Sequence, residues 1–281
     1  MSNPSAADAL AAAVARAGTP ACVGLDPVLA RLPAAVRAGT ETESIERFCE
    51  GVLDAVAGIA AVVKPQSACF ERYGSAGVAV LERVVAGARQ RGLYVILDAK
   101  RGDIGTTAEH YAAFAYGAIG ADAVTVNLYM GFDTIEPFLR PGRGVFALVR
   151  TSNPGSDAVQ SVRAAPGTVA ETIARGIAEL GRTRVGSSGW SDLGAVVAAT
   201  KPGDAAQMRA LMPQQVFLVP GFGAQGGTVE TVRELFSDGA GAIINASRSV
   251  LYPEPTGAAW HEDVRAAAQR FAEQARAASG A

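Results

Sequence analysis

The sequence predicts a (β/α)8 TIM barrel, an α/β fold that forms a single domain over residues 1–281. Short apolar segments typical of strands alternate with alanine-rich segments of helical length, and eight such units follow one another. Polar residues gather where the apolar segments end, as expected at the active-site face of such a barrel. The length also fits, because barrels of about 200 to 250 residues or more commonly form one domain.

The predicted elements alternate from one end of the chain to the other. After an alanine-rich N-terminal helix, strands are predicted at 20–25, 59–64, 93–100, 122–127, 145–150, 194–200, 216–220 and 242–246. Helices are predicted at 43–58, 75–91, 106–119, 167–180, 204–211, 227–238 and 258–278. Segments 151–166 and 181–192 are predicted to be surface loops. No linker or low-complexity tract divides these elements, which favours one domain.

Composition and charge exclude several classes of function. The net charge is -2 and no segment concentrates Lys and Arg, so we expect no nucleic-acid partner and no membrane surface. Cys22, Cys49 and Cys69 form no CxxC motif, which argues against a disulfide framework and a zinc site. Asp8 interrupts the apolar N-terminal stretch, so a helix is favoured over a secretory signal. No later run is long enough to span a bilayer, and a cytoplasmic protein is expected.

A charged run follows the third predicted strand, in the segment YVILDAKRGDIG at 94–105. Alternate side chains of a strand lie on one face, so Asp98 and Lys100 are expected to point the same way, with Asp103 in the turn beyond. Buried ionic groups are costly, and an apolar strand that ends in them indicates a functional site rather than a solvated charge run.

Other polar residues follow the remaining strands. Asp26 follows the first strand, Lys64 ends the second, Asn127 ends the fourth, Ser152 follows the fifth and Arg248 follows the eighth. Each alone is compatible with a turn or a cap, as in the dipeptide Asp-Pro. Because the carboxyl ends of all strands meet at one face of a barrel, together they predict an active site.

A glycine-rich loop and an arginine predict a phosphate site between the seventh and eighth strands. The loop PGFGAQGG at 220–227 includes Gly221 and Gly223, and Arg248 lies in the segment NASRS at 245–249. Glycines let backbone N–H groups approach an anion, and arginine donates two charge-assisted hydrogen bonds to phosphate. Dinucleotide and P-loop fingerprints are lacking, because Gly24 in the first strand is followed by no GxxG spacing and no GKS or GKT occurs.

The motif DxKxxD within LDAKRGDIG resembles the signature of the orotidine 5'-phosphate decarboxylase family. The resemblance extends along the barrel and is greatest to the longer bacterial branch, type 2, through VGLDP, VKPQSACFERYG, TSNPGS, ATKP, VPGFGAQGG and NASRS. Related sugar-phosphate decarboxylases and aldolases share DxKxxD, but they characteristically carry a carboxylate at the second strand and hold magnesium. Lys64 at that strand resembles the metal-free orotidylate enzymes instead.

This resemblance implies the roles of individual residues. Lys100 would supply the proton, Asp98 would lie near the substrate carboxylate, and Asp103 with Thr107 would enter the site from the neighbouring subunit of a homodimer. The implied substrate contacts are Asp26 and Lys64 to the ribose, Ser152 to the pyrimidine, and Gln225, Arg248 and N–H groups near Gly223 to the phosphate; Asn127 and Gly221 complete the predicted binding set. Leu128 stands where this branch is expected to carry proline, which affects only the local loop shape.

The expected reaction is decarboxylation of orotidine 5'-monophosphate to UMP and CO2 in de novo pyrimidine biosynthesis, with no metal and no organic cofactor. Loss of CO2 leaves charge on C6 that the ring cannot delocalise, and a protonated Lys100 can stabilise and protonate it. Two alternatives stay open: a magnesium-dependent sugar-phosphate decarboxylase or aldolase, and a phosphometabolite-binding protein without turnover.

Overall fold

The computed structural model describes residues 5–198, 203–221, 229–257 and 259–280. Eight parallel strands close into a barrel in the spatial order β1-β8-β7-β6-β5-β4-β3-β2, which confirms the predicted fold class. The strands are β1 (Ala21–Leu25), β2 (Val62–Pro65), β3 (Tyr94–Arg101), β4 (Ala123–Val126), β5 (Gly144–Arg150), β6 (Ser191–Val197), β7 (Gln215–Val219) and β8 (Ala242–Ala246).

Helices surround the barrel. They are α1 (Ala6–Ala17), α2 (Glu41–Val56), α3 (Ala68–Glu71), α4 (Gly74–Gln90), α5 (Gly105–Ala113), α6 (Asp157–Gln160), α7 (Val169–Gly181), α8 (Asp204–Leu211), α9 (Val229–Arg233), α10 (Arg248–Leu251) and α11 (Trp260–Ser279). Shorter 3-10 turns lie at Leu29–Arg31, Ala34–Val36, Phe132–Phe138, Pro154–Ser156 and Arg182–Arg184, and a π-helical turn at Phe114–Ala118 follows α5. Within the described ranges, no helix has the length and apolarity needed to cross a membrane.

Local sequence explains where the longer helices begin. Thr40 and Glu43 form a capping box at the start of α2, and Thr168 and Glu171 do the same for α7. In each case the threonine hydroxyl accepts a bond from the glutamate N–H, and the glutamate side chain accepts one from the threonine N–H. These bonds satisfy N–H groups that have no partner inside the helix.

Two predicted strand boundaries were wrong. Strand β2 begins at Val62 rather than 59, because Ile59 and Ala60 donate N–H bonds to the Val56 carbonyl and close the end of α2. Strand β6 begins at Ser191, inside the predicted loop 181–192, because its polar residues have partners: the Ser191 hydroxyl donates to the Gly181 carbonyl. The predicted loop 151–166 contains α6 and the strand Arg163–Ala164, which pairs with Gly167–Thr168.

Side-chain alternation along the strands separates two apolar clusters. In β3, Val95 and Leu97 pack toward the helices, whereas Tyr94 and Ile96 belong to the cluster inside the barrel. Leu10 and Ala13 of α1 join the inner cluster and cover the end of the barrel at which the strands begin. The opposite end, where the strands terminate, is where the inward positions become polar.

Arg209 of α8 connects the outer layer to the barrel. Its guanidinium donates five hydrogen bonds to the backbone carbonyls of Met212, Gln215, Leu235 and Gly241. The guanidinium carbon lies 3.7 Å from the centroid of the Phe217 ring. Burial lowers the pKa of Arg209 to about 10. One side chain therefore joins the segments before and after β7 to the start of β8.

We expect Arg209→Met to lower the free energy of unfolding by about 3 kcal/mol, because it leaves several buried carbonyls without a donor. Urea unfolding monitored by circular dichroism measures this loss. Arg182→Met is the matched control: its side chain is 68% exposed in an ion pair with Glu179, so the change should stay within about 0.5 kcal/mol. Equal effects of the two substitutions would contradict the anchoring role of Arg209.

Candidate active site

A cavity of about 780 Å³ opens at the carboxyl ends of the strands. It is lined by eight of the residues predicted from the sequence: Asp26, Lys64, Asp98, Lys100, Asn127, Ser152, Gly221 and Arg248. Gly223 and Gln225 lie outside the described residues. Asp103 and Thr107 do not line this cavity. The cavity thus lies at the face of the barrel that was predicted to carry the site, and two predicted site residues, Asp103 and Thr107, lie outside it.

Asp98 is the centre of a buried charged array. One carboxylate oxygen, Oδ2, lies 2.6 Å from Lys64 Nζ, and the other, Oδ1, lies 2.5 Å from Lys100 Nζ. The Thr125 hydroxyl donates to Oδ1 at 3.0 Å, and the Gln66 amide donates to Oδ2 at 3.2 Å. Four donors therefore fix the carboxylate at the end of β3, and both of its oxygens are engaged by ammonium groups.

The two lysines differ in exposure. The Lys64 side chain is 7% exposed, whereas that of Lys100 is 45% exposed and reaches into the cavity. Burial disfavours ionisation of Asp98, but the charges and hydrogen bonds of Lys64 and Lys100 outweigh it and lower the pKa of Asp98 to about 2. Burial likewise disfavours the charged form of Lys64, but Asp98 and Asp26 raise the pKa of Lys64 above its usual value. Both partners of this buried pair are charged at neutral pH.

An irregular backbone directs Lys100 into the cavity. Lys100 has φ of 47°, a left-handed conformation unusual for a lysine, and the pairing of β3 with β4 shifts register between Leu97 and Arg101. The Lys100 N–H donates to the Thr125 hydroxyl at 2.9 Å, which holds this conformation. Asp98 and Lys100 face the cavity together, as predicted, but through a bulge rather than regular strand alternation.

Sequence reasoning missed Thr125 and Gln66. Thr125 receives the Lys100 N–H and donates to Asp98, so a single hydroxyl fixes both residues. Its signal was available: in the segment DAVTVN, Thr125 has the same parity as Asn127 and is a polar residue in an apolar strand. Gln66 had a similar signal, because it lies just beyond the end of β2 and two residues after Lys64, on the same face of the chain.

Asp26 has an unsatisfied atom. Its Oδ1 is buried and accepts no hydrogen bond within the described part of the chain. A buried carboxylate oxygen without a donor is costly, and in a cavity it marks a place where a ligand hydroxyl can donate. Its neighbour Lys64 lies close enough for the Asp26 charge to raise the Lys64 pKa.

Asp103 does not contact Lys100 in this chain. Its Oδ1 accepts a bond from the Ile104 N–H at 2.8 Å, in the loop between β3 and α5. Thr107 is exposed on the first turn of α5. Among the described residues, Asp98 is the carboxylate that pairs with Lys100. The sequence motif DxKxxD therefore contributes two of its three charged members to the cavity of its own chain.

The loop after β5 is held from below by Arg150. This buried arginine donates to Asp204 at 2.7 Å and to Asp157 at 2.6 Å. Burial disfavours the charged form of Arg150, but the two carboxylates outweigh this effect and raise its pKa. Gln160 accepts from the Thr151 N–H at 2.9 Å. These bonds position Ser152 at the cavity wall.

Asn127 also lies on the cavity wall. Its Oδ1 accepts a hydrogen bond from the Tyr129 N–H, as is common for a turn residue.

The predicted phosphate corner lies between β7 and β8. Gly221, at φ of 84°, and the exposed Arg248 both line the cavity. Strand β1 and the segment after β8 approach each other closely at Gly24, because a Cβ at this position would collide with the Ser247 hydroxyl. Strand β1 therefore packs directly against the segment that carries Arg248.

The fold and the cavity define a (β/α)8-barrel protein whose strand ends carry a lysine-aspartate-lysine array. The chain belongs to the orotidine 5'-phosphate decarboxylase / HUMPS family, whose model matches residues 19–262. An orotidine 5'-phosphate decarboxylase of Rhodopirellula baltica is 40% identical, covering 94% of this chain and 97% of that protein. One of Roseiflexus castenholzii is 43% identical, covering 92% of each. The structure of Leishmania donovani OMP decarboxylase is 34% identical with a TM-score of 0.80, covering 100% of each chain.

We expect Asp98→Asn to lower the free energy of unfolding by about 3 kcal/mol at pH 7, because buried Lys64 loses its counter-charge. Lys64→Met in the Asp98→Asn background should recover part of this loss, so the double variant is less destabilised than the sum of the single variants. Urea unfolding of all four proteins gives the coupling energy. Glu46→Gln in the exposed pair with Arg83 is the control, with an effect below about 1 kcal/mol.

The same measurement against pH tests the charge on Asp98. The folded-state pKa is lowered from 3.8 to about 2, so the stability contributed by ionised Asp98 is fully present above about pH 4 and is lost as pH falls toward 2. The stability difference between wild type and Asp98→Asn should shrink over that window. A difference that stays constant down to pH 2.5 would show that Asp98 does not carry this charge.

Proposed function

We propose that this chain decarboxylates orotidine 5'-monophosphate to UMP and CO2 in de novo pyrimidine biosynthesis. The observation that carries the proposal is the buried Asp98 carboxylate, which holds one ammonium inside the barrel and a second one half exposed in the cavity. Loss of orotidylate absorbance on adding purified protein in EDTA tests both the reaction and its independence of a metal. We expect no organic cofactor to be required.

The proposed mechanism assigns the chemistry to Lys100. The bond from C6 to the carboxylate carbon breaks, its electron pair stays on C6, and CO2 leaves. The Lys100 ammonium stabilises the developing charge and then transfers its proton to C6, after which the amine recovers a proton from water. Asp98 positions the Lys100 ammonium before the reaction, so little reorganisation is needed when the charge forms.

Lys64 favours this reaction over that of the magnesium-dependent relatives. Those relatives require carboxylate oxygens that are free to bind a cation. Here the position at the end of β2 is a lysine, and both oxygens of Asp98 accept bonds from ammonium groups. The donor set therefore fits an anionic substrate rather than a divalent cation.

The remaining cavity residues are proposed to bind the substrate. Asp26, with its unsatisfied Oδ1, and Lys64 suit the ribose hydroxyls. Ser152 and Asn127 on the cavity wall suit the polar edge of the pyrimidine. Gly221 and Arg248 suit the phosphate, together with Gly223 and Gln225. Binding energy from these remote contacts assists catalysis when it holds the reacting carbon against Lys100.

We further propose that the protein is a cytoplasmic homodimer of single-domain subunits with shared active sites. Asp103 and Thr107 lie outside the cavity of their own chain and are available to a neighbouring one. Near them the surface exposes large apolar side chains: Ile104 is 56% exposed, Tyr129 86% and Met130 51%. Exposed apolar side chains around one functional loop favour an interface between subunits.

Lys100→Ala should reduce kcat about a thousandfold or more while leaving UMP affinity within a few fold, because Lys100 acts on a charge that the product lacks. Steady-state kinetics and calorimetric UMP binding measure the two effects, with Arg182→Ala as the unaffected control. Substantial turnover by the purified variant, free of host enzyme, would remove Lys100 from the mechanism. Loss of UMP binding as well would show that the site had collapsed.

Mixed dimers test the shared site. Lys100→Ala and Asp103→Ala chains, each nearly inactive alone, should regain activity when unfolded and refolded together, because one site of each hybrid has both residues intact. Random pairing makes about half of the dimers hybrid, so activity should reach about a quarter of wild type. Each variant refolded by itself is the control. No recovery, although hybrids are shown to form, would refute the shared site.

A further inference from the structure

Arg31 lies at the cavity wall beside the predicted phosphate corner, in the 3-10 turn after β1. Neither the sequence motifs nor the proposed mechanism gives it a role. Its guanidinium carbon lies 4.3 Å from the centroid of the Tyr252 ring. Within the described ranges it forms no ion pair with a carboxylate.

Tyr252 connects Arg31 to Arg248. The Tyr252 N–H donates to the Arg248 carbonyl at 3.1 Å, at the end of the helical turn that Arg248 begins. The Tyr252 hydroxyl accepts from the Val28 N–H at 2.7 Å, and its ring stacks on Phe48 with centroids 5.6 Å apart. A tyrosine fixed on three sides thus holds the loop after β1 against the segment after β8.

Stacking on a ring uses the face of the guanidinium and leaves its in-plane N–H donors available. Arg248 is likewise without a carboxylate partner among the described residues. The two arginines therefore present N–H donors without a carboxylate partner to the same cavity, from the segments that follow the adjacent strands β1 and β8. Planar donor groups of this kind match the oxygens of a phosphate.

The charge of the cavity supports the same reading. Among the described residues of its lining, the charged ones are four cations, Arg31, Lys64, Lys100 and Arg248, and two carboxylates, Asp26 and Asp98. These described residues give an excess of two positive charges. Orotidylate has a phosphate and a carboxylate, and without Arg31 the excess would fall to one.

We propose that Arg31 is a second phosphate-binding residue, which together with Arg248 holds the 5'-phosphate of the substrate between the loops after β1 and β8. This inference rests on the proposed function. Tyr252 acts as a positioning residue, because its ring orients the Arg31 guanidinium.

The test compares Arg31→Met with wild type on ligands that differ only in the phosphate. Arg31→Met should lower kcat/KM for orotidylate and affinity for UMP about tenfold, because one charge-assisted contact is lost. Affinity for uridine should not change. Arg31→Lys keeps the charge but not the planar donor group, so its UMP affinity should lie between those of wild type and Arg31→Met. Arg182→Met controls for loss of a positive charge far from the cavity, and thermal unfolding confirms that each variant is folded.

Equal losses for UMP and uridine would show that Arg31 only shapes the loop, and no loss for either would show that it does not reach the phosphate; both results overturn the inference. Failure of the proposed function is distinguishable, because it appears as wild-type protein that does not turn over orotidylate. The comparison of UMP with uridine binding still tests Arg31 in that case. Arg248→Met, which should also discriminate UMP from uridine, confirms that the assay detects a phosphate contact.

Discussion

The attachment of two ammonium groups to one buried carboxylate is the constraint on which this site depends. Asp98 holds Lys64 and Lys100 through different oxygens, at 2.6 Å and 2.5 Å. Removing any member leaves a charge with less compensation in a region where desolvation is costly. The array therefore fixes where the ends of β2 and β3 lie relative to each other, and it places a positive charge in the cavity before any substrate arrives.

The barrel supplies this arrangement through strand register. Lys64 of β2 pairs in register with Gly24 of β1, and two residues further along the chain Gln66 bridges to Asp98 of β3, so the polar inward positions occupy two successive levels at the strand ends. On β3 the inward position before Asp98 is the apolar Ile96, which belongs to the cluster that fills the interior. Closure of the parallel sheet brings the carboxyl ends of the strands around one cavity, which gathers these polar residues into one site.

The alternation of strand-like and helix-like segments was sufficient to predict the fold class, and polar residues at the strand ends predicted the charged centre of the cavity. Asp98, Lys64 and Asn127 follow from apolar runs that end in polar residues, and the structure brings all three to one cavity. Alternation did not predict the bulge at Lys100, because its left-handed backbone depends on the Thr125 hydroxyl of a neighbouring strand. The stacking of Arg31 on Tyr252 joins segments far apart in the sequence, and no local pattern encodes such a contact.

The fixed charges act differently on the substrate and on the transition state of the proposed reaction. Asp98 stays ionised because its pKa is lowered to about 2, so the carboxylate of orotidylate has to bind beside an existing negative charge. As the bond to CO2 breaks, that charge moves from the departing carboxylate to C6, away from Asp98 and toward the Lys100 ammonium. Along the reaction coordinate, repulsion by Asp98 therefore falls while attraction to the Lys100 ammonium rises. In a protein that only bound a phosphometabolite, ionised Asp98 would still position the two ammonium groups, but its repulsion of an anionic ligand would not be relieved by any later step.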